Sequence, residues 1–345
     1  MFDKPAFAGH ESVHHFFDAK TGLRAIIAVH STARGPAAGG CRMWNYATAD
    51  DALVDALRLS EGMSYKNAMA DLPLGGGKAV IWGNSKTDKT PELFRALGRA
   101  IEMLNGKYWS AEDVGVSVRD MAFAAEETKY VAGLPSGKAA SGDPSPVTAK
   151  GVFLGIKATA LRAFGTDDLN GKHIAVQGVG HVGAYLCGRL AEAGAKLTIT
   201  DVNPDALATI SQATGAKVVA PDDIYDVAAD IFSPNALGAI INPNTLPRIK
   251  TKMIAGGANN QLATPDMGEK VLERGILYAP DYVINGGGII NVAAEISGTY
   301  DPAWVEVKVQ RLVQTLGEVL DQAKAENRAS NRVADEIARR RILSA

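Results

Sequence analysis

The sequence predicts an α/β fold in two domains. Its length is 345 residues, and at roughly 150 residues per domain that is enough for two cores. In the second half, short apolar runs alternate with segments of helical period, the mark of a doubly wound parallel sheet. Thirteen of the 36 glycines gather in clusters, at 39–40, 75–77, 178/180/183, 256–257 and 286–288, each after an apolar run. Such clusters mark sharp turns or close approach of backbone.

In the first half, residues 23–29 (LRAIIAV) read as a strand. Residues 49–69 form a helix, with Leu53, Ala56, Leu57, Ser60 and Met63 on one stripe. Residues 78–82 (KAVIW) read as a buried strand. Thr90 and Pro91 open a helix as N-cap and first residue, with Glu92 suited to the dipole. Residues 108–113 are extended. Ser117 then caps a helix, with Asp120 completing a capping box. Residues 136–146 (SGKAASGDPSP) read as a domain boundary. Beyond it lie a helix at 149–164, a strand at 173–177, a helix at 184–193, a strand at 196–200 and a strand at 253–255. The last 40 or so residues are helical, with a polar break near Asn327, Ser330 and Asn331.

Composition excludes several classes. Hydrophobic residues make up 46% and charged residues 21%, a globular balance opposed to disorder. Lys plus Arg total 36 against 38 Asp plus Glu, a net charge of −2, so no basic excess points to nucleic acid. The two cysteines, Cys41 and Cys187, are far apart, which suits neither a disulfide framework nor a zinc site and fits a reducing compartment. The first residues lack the apolar core of a signal peptide, and no apolar stretch approaches the ~18 residues of a spanning helix. A cytoplasmic protein without metal, membrane or nucleic-acid partner is expected.

The strand at 173–177 runs directly into Gly178, Val179, Gly180, His181, Val182 and Gly183, then a helix, a second strand, and Asp201. A lone G-x-G-x-x-G is weak evidence; strand, turn, helix, strand and terminal acid in this order form the Rossmann dinucleotide unit. The glycines let amides and the positive helix end meet a pyrophosphate, while the carboxylate takes the ribose hydroxyls. That acid repels a 2′-phosphate, and Val202 and Asn203 supply no arginine to receive one. NAD is therefore expected over NADP.

The six histidines, at 10, 14, 15, 30, 173 and 181, offer no His–acid pair of the hydroxyacid-dehydrogenase kind. Two lysines are better placed. Lys66 lies near the end of a helix, and Lys78 follows three glycines and opens an apolar strand. A desolvated ammonium yields its proton more readily, which suits a general base. Gly75–Gly77 with Lys78 is not a P-loop, because Leu72 and Ala79 stand where that motif requires Gly and Ser or Thr. Glu112 and Asp113 at a strand end can exchange a proton with a departing nitrogen. The amides of Asn259 and Asn260 suit a carboxylate or the cofactor.

The segments 39–44 (GGCRMW), 64–67 (SYKN), 74–78 (LGGGK), 111–115 (AEDVG), 143–148 (DPSPVT), 178–183, 259–261 (NNQ) and 282–285 (YVIN) occur in one order over nearly the whole chain. In these the chain resembles the glutamate/leucine/phenylalanine/valine dehydrogenase family, its leucine-type branch most. The resemblance implies NAD-dependent oxidative deamination of an L-amino acid to a 2-oxo acid and ammonia. It implies that Lys66, aided by Asn260, holds the substrate carboxylate, that Lys78 activates water, and that Asp113 exchanges a proton with the amino group. Thr148 and Asn259 are implied near the nicotinamide, Asn285 at the cofactor, and Gly39 and Gly40 at the substrate. Ala38 stands where glutamate-type members carry lysine, and Val292 stands for a polar serine. An acidic side chain would be buried unpaired there, at high cost. Leucine-type members are bulkier at the Ala38 position, so an aromatic substrate is the alternative, although Ile289 replaces a smaller residue and narrows the space. A catalytically silent NAD-binding sensor is a further alternative. The implied domains are 1–140 for substrate and oligomerisation and 141–321 for NAD, with the C-terminal helix 322–345 returning to the first and the active site in the cleft between them. A homo-oligomer, an octamer in the leucine type, is also implied.

Overall fold

The computed structural model describes residues 1–134, 142–298 and 300–345. It divides into two compact units: Met1–Pro144, Ile289–Val305 and Ala338–Ala345 in one, Ser145–Gly288 and Glu306–Ile337 in the other. The expected boundary at 140/141 lies outside the described residues. Residues 322–337 group with the second unit, and 338–345 with the first.

The first unit contains strands β1 (Ser12–Asp18), β2 (Leu23–Ser31), β3 (Ala37–Ala38), β4 (Cys41–Trp44), β5 (Gly75–Trp82) and β6 (Tyr108–Trp109). Their order is β1-β2-β5-β3-β6, with β4 also on β5. β1, β2 and β5 are antiparallel, whereas β3 and β4 run parallel to β5. Alternation sorts the side chains onto two covered faces. Cys41, Met43, Ala79 and Ile81 join Leu93, Phe94 and Leu97 of helix α2 (Pro91–Glu102) and Met121 of α3 (Val118–Ala125) in one core. Ile26, Ala28 and Val80 meet Ala52, Leu53, Ala56 and Leu57 of the long helix α1 (Ala49–Met69) in the other.

Strand β5 begins at Gly75, three residues before the expected start, because its glycines are strand residues under steric compression rather than a turn. A Cβ on Gly75 would fall 1.9 Å from Ser31 O, on Gly76 2.1 Å from Ser64 N, and on Gly77 2.6 Å from the Tyr108 ring. Helix α1 thus lies directly on the start of β5. Helix α1 has a Thr48 capping box that was not predicted; the predicted capping box at Ser117 for α3 and the predicted N-cap Thr90 with Pro91 in the first turn for α2 both have the expected hydrogen bonds. β1 had no sequence signal, since its alternation is weak and Phe17 faces outward, 75% exposed.

The second unit opens with α4 (Ser145–Phe164), which starts four residues before the expected 149. Pro146 falls in its first turn, where the missing N–H costs no intrahelical bond. Then come β7 (His173–Gln177), α5 (His181–Glu192), β8 (Lys196–Thr200), α6 (Pro204–Thr214), β9 (Lys217–Val218), β10 (Ile231–Pro234), β11 (Met253–Ile254), α7 (Met267–Glu273) and β12 (Leu277–Tyr278). Every pairing in this sheet is parallel, in the order β12-β11-β10-β7-β8-β9. That is the doubly wound order, with β7 and β10 flanking the switch point where ligands bind. Helices α8 (Asp281–Ile284), α9 (Gly287–Ile296), α10 (Pro302–Glu326) and α11 (Ser330–Leu343) complete the chain. The predicted polar break separates the last two, with Asn327 at a φ of 52°.

Candidate active site

In the first unit the chain folds so that Lys78 and Asp113 meet. Cys41 N–H donates to Ala111 O at 2.7 Å and Met43 N–H to Val114 O at 2.9 Å, which draws the 111–114 segment alongside β4. β4 in turn pairs with β5, Cys41 against Ala79. Gly40 has no side chain to intervene: a Cβ there would lie 2.5 Å from Glu112 O and 2.9 Å from the Asp113 Cβ. Gly39 is equally constrained, its Cβ position being 1.9 Å from Gly77 O. Lys78 Nζ donates to Asp113 Oδ2 at 2.5 Å, and its side chain is 6% exposed. Burial pushes the Asp113 carboxyl upward, but Lys78 and Arg42 outweigh it and bring it down to about 2. Asp113 is thus a carboxylate at neutral pH.

Lys66 sits half-buried in the last turn of α1, where its charge suits the helix dipole. That turn is pinned to the start of β5 from both sides: Ser64 packs on Gly76, and Asn67 donates from Nδ2 to Gly75 O at 2.5 Å. Lys66 is thereby carried to the strand end that bears Lys78. Ala38 is buried on β3. Ile289 and Val292 of α9 are both half-buried and three residues apart, on one helix face. α9 is anchored elsewhere along its length, because Gly133 N–H donates to Glu295 Oε2 at 2.6 Å and Tyr300 Oη to Asn291 Oδ1 at 2.8 Å.

In the second unit the three motif glycines have distinct reasons. Gly178 has φ +93°, which a side chain resists, and a Cβ on Gly183 would lie 2.1 Å from Gly178 O. Nothing stands within 4 Å of a Cβ on Gly180, so the turn opens there. α5 starts at His181, three residues before the expected 184, because the last residues of the motif are its first turn. Its N-cap Gly180 makes no side-chain cap, so the early amides of Val182 and Gly183 remain for an anion. His181 is exposed. Asp201 closes β8, accepting from Val179 N–H at 2.7 Å and Asn203 N–H at 2.9 Å, one on each oxygen. Each oxygen keeps a lone pair for a ribose hydroxyl. An open glycine turn, a bare helix start and an oriented carboxylate fit a dinucleotide.

At the carboxyl ends of β10 and β11, Asn285 is 5% exposed and donates from Nδ2 to Asn259 Oδ1 at 2.6 Å and Gly257 O at 3.2 Å. Its Oδ1 is buried without a partner among the described residues, an acceptor left for a ligand. Asn260 is exposed with φ 52°. Thr148 lies in the first turn of α4, and its Cα is 3.0 Å from the Cβ position of Gly287, so Gly287 is there for close packing. Among the described residues no cluster of three His, Cys, Asp or Glu could hold a metal, and no helix is long and apolar enough to cross a membrane.

Two family profiles match the chain: "Glu/Leu/Phe/Val dehydrogenase, dimerisation domain" over residues 10–130, and "Glutamate/Leucine/Phenylalanine/Valine dehydrogenase" over residues 198–343. A leucine dehydrogenase of Thermoactinomyces intermedius is 56% identical over 81% of this chain and 77% of its own. A phenylalanine dehydrogenase of Lysinibacillus sphaericus is 47% identical over 84% and 78%. The crystal structure of an L-tryptophan dehydrogenase from Nostoc punctiforme superposes with a TM-score of 0.84 at 41% identity, covering 97% of this chain and 96% of that one. The chain belongs to the Glu/Leu/Phe/Val dehydrogenase family.

Sequence reasoning passed over Arg42 and Asn67. Arg42 belongs to the GGCRMW segment, and its place beside Asp113 depends on strand register, which no local pattern reveals. Asn67 looks like an ordinary helix residue until β5 is seen beneath it.

Proposed function

We propose that the protein is an NAD-dependent amino acid dehydrogenase that deaminates an apolar L-amino acid, leucine or a branched-chain relative. The balanced reaction takes the amino acid, NAD and water to the 2-oxo acid, ammonium, NADH and a proton, and it is reversible. The observation that carries the reading is the Lys78–Asp113 pair at 2.5 Å, in a chain 56% identical to a leucine dehydrogenase.

When bound, NAD supplies the acceptor for the substrate's α-hydrogen and its electron pair. Gly178, Val179, Gly180, His181, Val182 and Gly183 would cradle the pyrophosphate, Asp201 would take the ribose hydroxyls, and Thr148, Asn259 and Asn285 would hold the nicotinamide end. On the first unit, Lys66 pairs with the substrate carboxylate. Asp113 exchanges a proton with the amino group. Lys78, once neutral, draws a proton from water as that water attacks the imino carbon. Asn260 offers an amide to a ligand carboxylate. Ala38, Gly39, Gly40, Ile289 and Val292 shape the side-chain space and place no charge in it. Glutamate would leave its carboxylate there unpaired.

An aromatic amino acid is the second reading, favoured by the small Ala38 and by the likeness to the tryptophan dehydrogenase. The presence of Lys66, Lys78 and Asp113 together argues against a sensor without turnover. The deciding experiment follows NADH formation at alkaline pH with L-leucine, L-valine, L-phenylalanine, L-tryptophan and L-glutamate, beside NADP. Turnover led by leucine or valine is expected. A lead by phenylalanine or tryptophan transfers the assignment to the aromatic reading, and NAD binding with no turnover transfers it to the sensor. We further propose a cytoplasmic homo-oligomer, an octamer by family resemblance. The matched dimerisation profile and the lack of any spanning helix among the described residues support this.

A further inference from the structure

Asp113 has two cations on one oxygen. Lys78 Nζ lies 2.5 Å from Oδ2, and Arg42 Nε lies 3.4 Å from the same atom. Register brings them together: Arg42 pairs with Val80 and Cys41 with Ala79, so Arg42 and Lys78 face the same side of the sheet. Arg42 is held from behind, its Nη1 3.1 Å from Asp55 Oδ2 on α1, and Tyr46 donates its hydroxyl to that oxygen at 2.5 Å. Arg42 Nε is buried and makes no hydrogen bond among the described residues. It is a donor in reserve beside a carboxylate that Lys78 has engaged more closely.

The chemistry above sets a problem that this reserve answers. A lysine must be neutral before it can accept a proton, and a carboxylate in contact with its ammonium opposes that. Once Lys78 is neutral, Asp113 would be a half-buried carboxylate facing an uncharged amine. A guanidinium does not lose its charge in a folded protein. We propose that Arg42 is a positioning residue, the constant counter-ion that holds Asp113 in place while Lys78 changes charge, and that its share of Oδ2 loosens Lys78 from the carboxylate. The inference rests on the amino acid dehydrogenase reading.

Around Asp113 stand Lys78 from β5, Arg42 from β4, and the buried Cys41 and Tyr108. Burial pushes the Cys41 thiol up to about 12 and the Tyr108 phenol upward, so both stay neutral. Lys89 and Asp120, the next charges out, pair with each other at 2.5 Å. Around Arg42 stand Asp113, Asp55 and Tyr46. Burial works against the guanidinium charge, and the two carboxylates outweigh it.

The test uses the full chain with Arg42→Met and Arg42→Lys. kcat and KM for L-leucine are measured at saturating NAD across neutral to alkaline pH, and NADH binding is followed by fluorescence. In Arg42→Met, Asp113 is left to Lys78 alone and grips its proton. The acid limb of kcat/KM should then move up by about one pH unit, and kcat should fall at least about tenfold. KM for leucine and NADH binding should stay within about threefold. Arg42→Lys keeps the charge but cannot bridge Asp55 and Asp113, so its limb should lie between the two. A limb that stays at the wild-type position while yield, NADH binding or KM deteriorates means a merely structural arginine and overturns the proposal. Should Arg42→Met not fold, Arg42→Lys decides: an upward limb supports the proposal, and wild-type kcat and limb sink it. Wild-type turnover with an unmoved limb removes only the role of Arg42, whereas no wild-type turnover removes the dehydrogenase reading with it.

Discussion

Lys78 is the residue on which most of the proposed chemistry turns, and its surroundings explain why. Its side chain is 6% exposed, and Asp113 lies in contact with it. Arg42 keeps that contact from being exclusive. Removing the amine should therefore stop catalysis without touching the nucleotide unit. Lys78→Ala is expected to lower kcat by about 10²–10⁴ while NADH binding, read by fluorescence, stays near wild type. Turnover at more than a tenth of the wild-type rate would refute Lys78 as the base. The residue was legible in the sequence because three glycines before a charged strand start are unusual. By residue type alone its partner was legible as one of two adjacent acids, and the family resemblance implied Asp113. Glu112 and Asp113 have the same chemistry, and which of them faces Lys78 is decided by the β4–β5 pairing and by Gly40.

At the scale of elements, the unit β7–turn–α5–β8 was legible almost in full, because each of its parts obeys a local rule. Gly178 takes a positive φ, Gly183 permits close packing, and Gly180 leaves the turn open. Asp201 is fixed by two backbone amides, which suits the proposed role of its carboxylate at a ribose. Asp201→Ala should raise KM for NAD by about 10- to 100-fold, the loss of hydrogen bonds to a charged group, and narrow the preference over NADP. Initial rates with both nucleotides measure it, and an unchanged ratio of kcat/KM would remove Asp201 from cofactor selection. The first unit was less legible. β1 carries little periodicity, and the Gly75–Gly77 run reads as a turn until α1 is seen lying on it at Ser64. Local propensity says where a glycine is tolerated; only packing says that it is required.

At the scale of the whole molecule, each unit has its own core, one built on β2, β4 and β5 and the other on β10 and β11. The first unit presents β1 as a sheet edge with Phe17 exposed, the kind of edge that proteins cover or blunt. With the dimerisation profile over residues 10–130, this supports the expectation of a homo-oligomer. Light scattering on the purified chain should give a mass several times that of one chain, and a monomer at micromolar concentration would remove the oligomer from the proposal. The sequence by itself determined the fold class, the nucleotide unit, the family and the residue types of the chemistry, because glycine conformation, helix caps and strand periodicity are encoded within a few neighbours. The tertiary structure alone decided that Asp113 lies in contact with Lys78, that Arg42 shares its oxygen, and that residues 289–305 group with the first unit. These depend on strand register and on contacts between segments tens of residues apart, where no local preference acts and only the packing of the folded chain selects the partner.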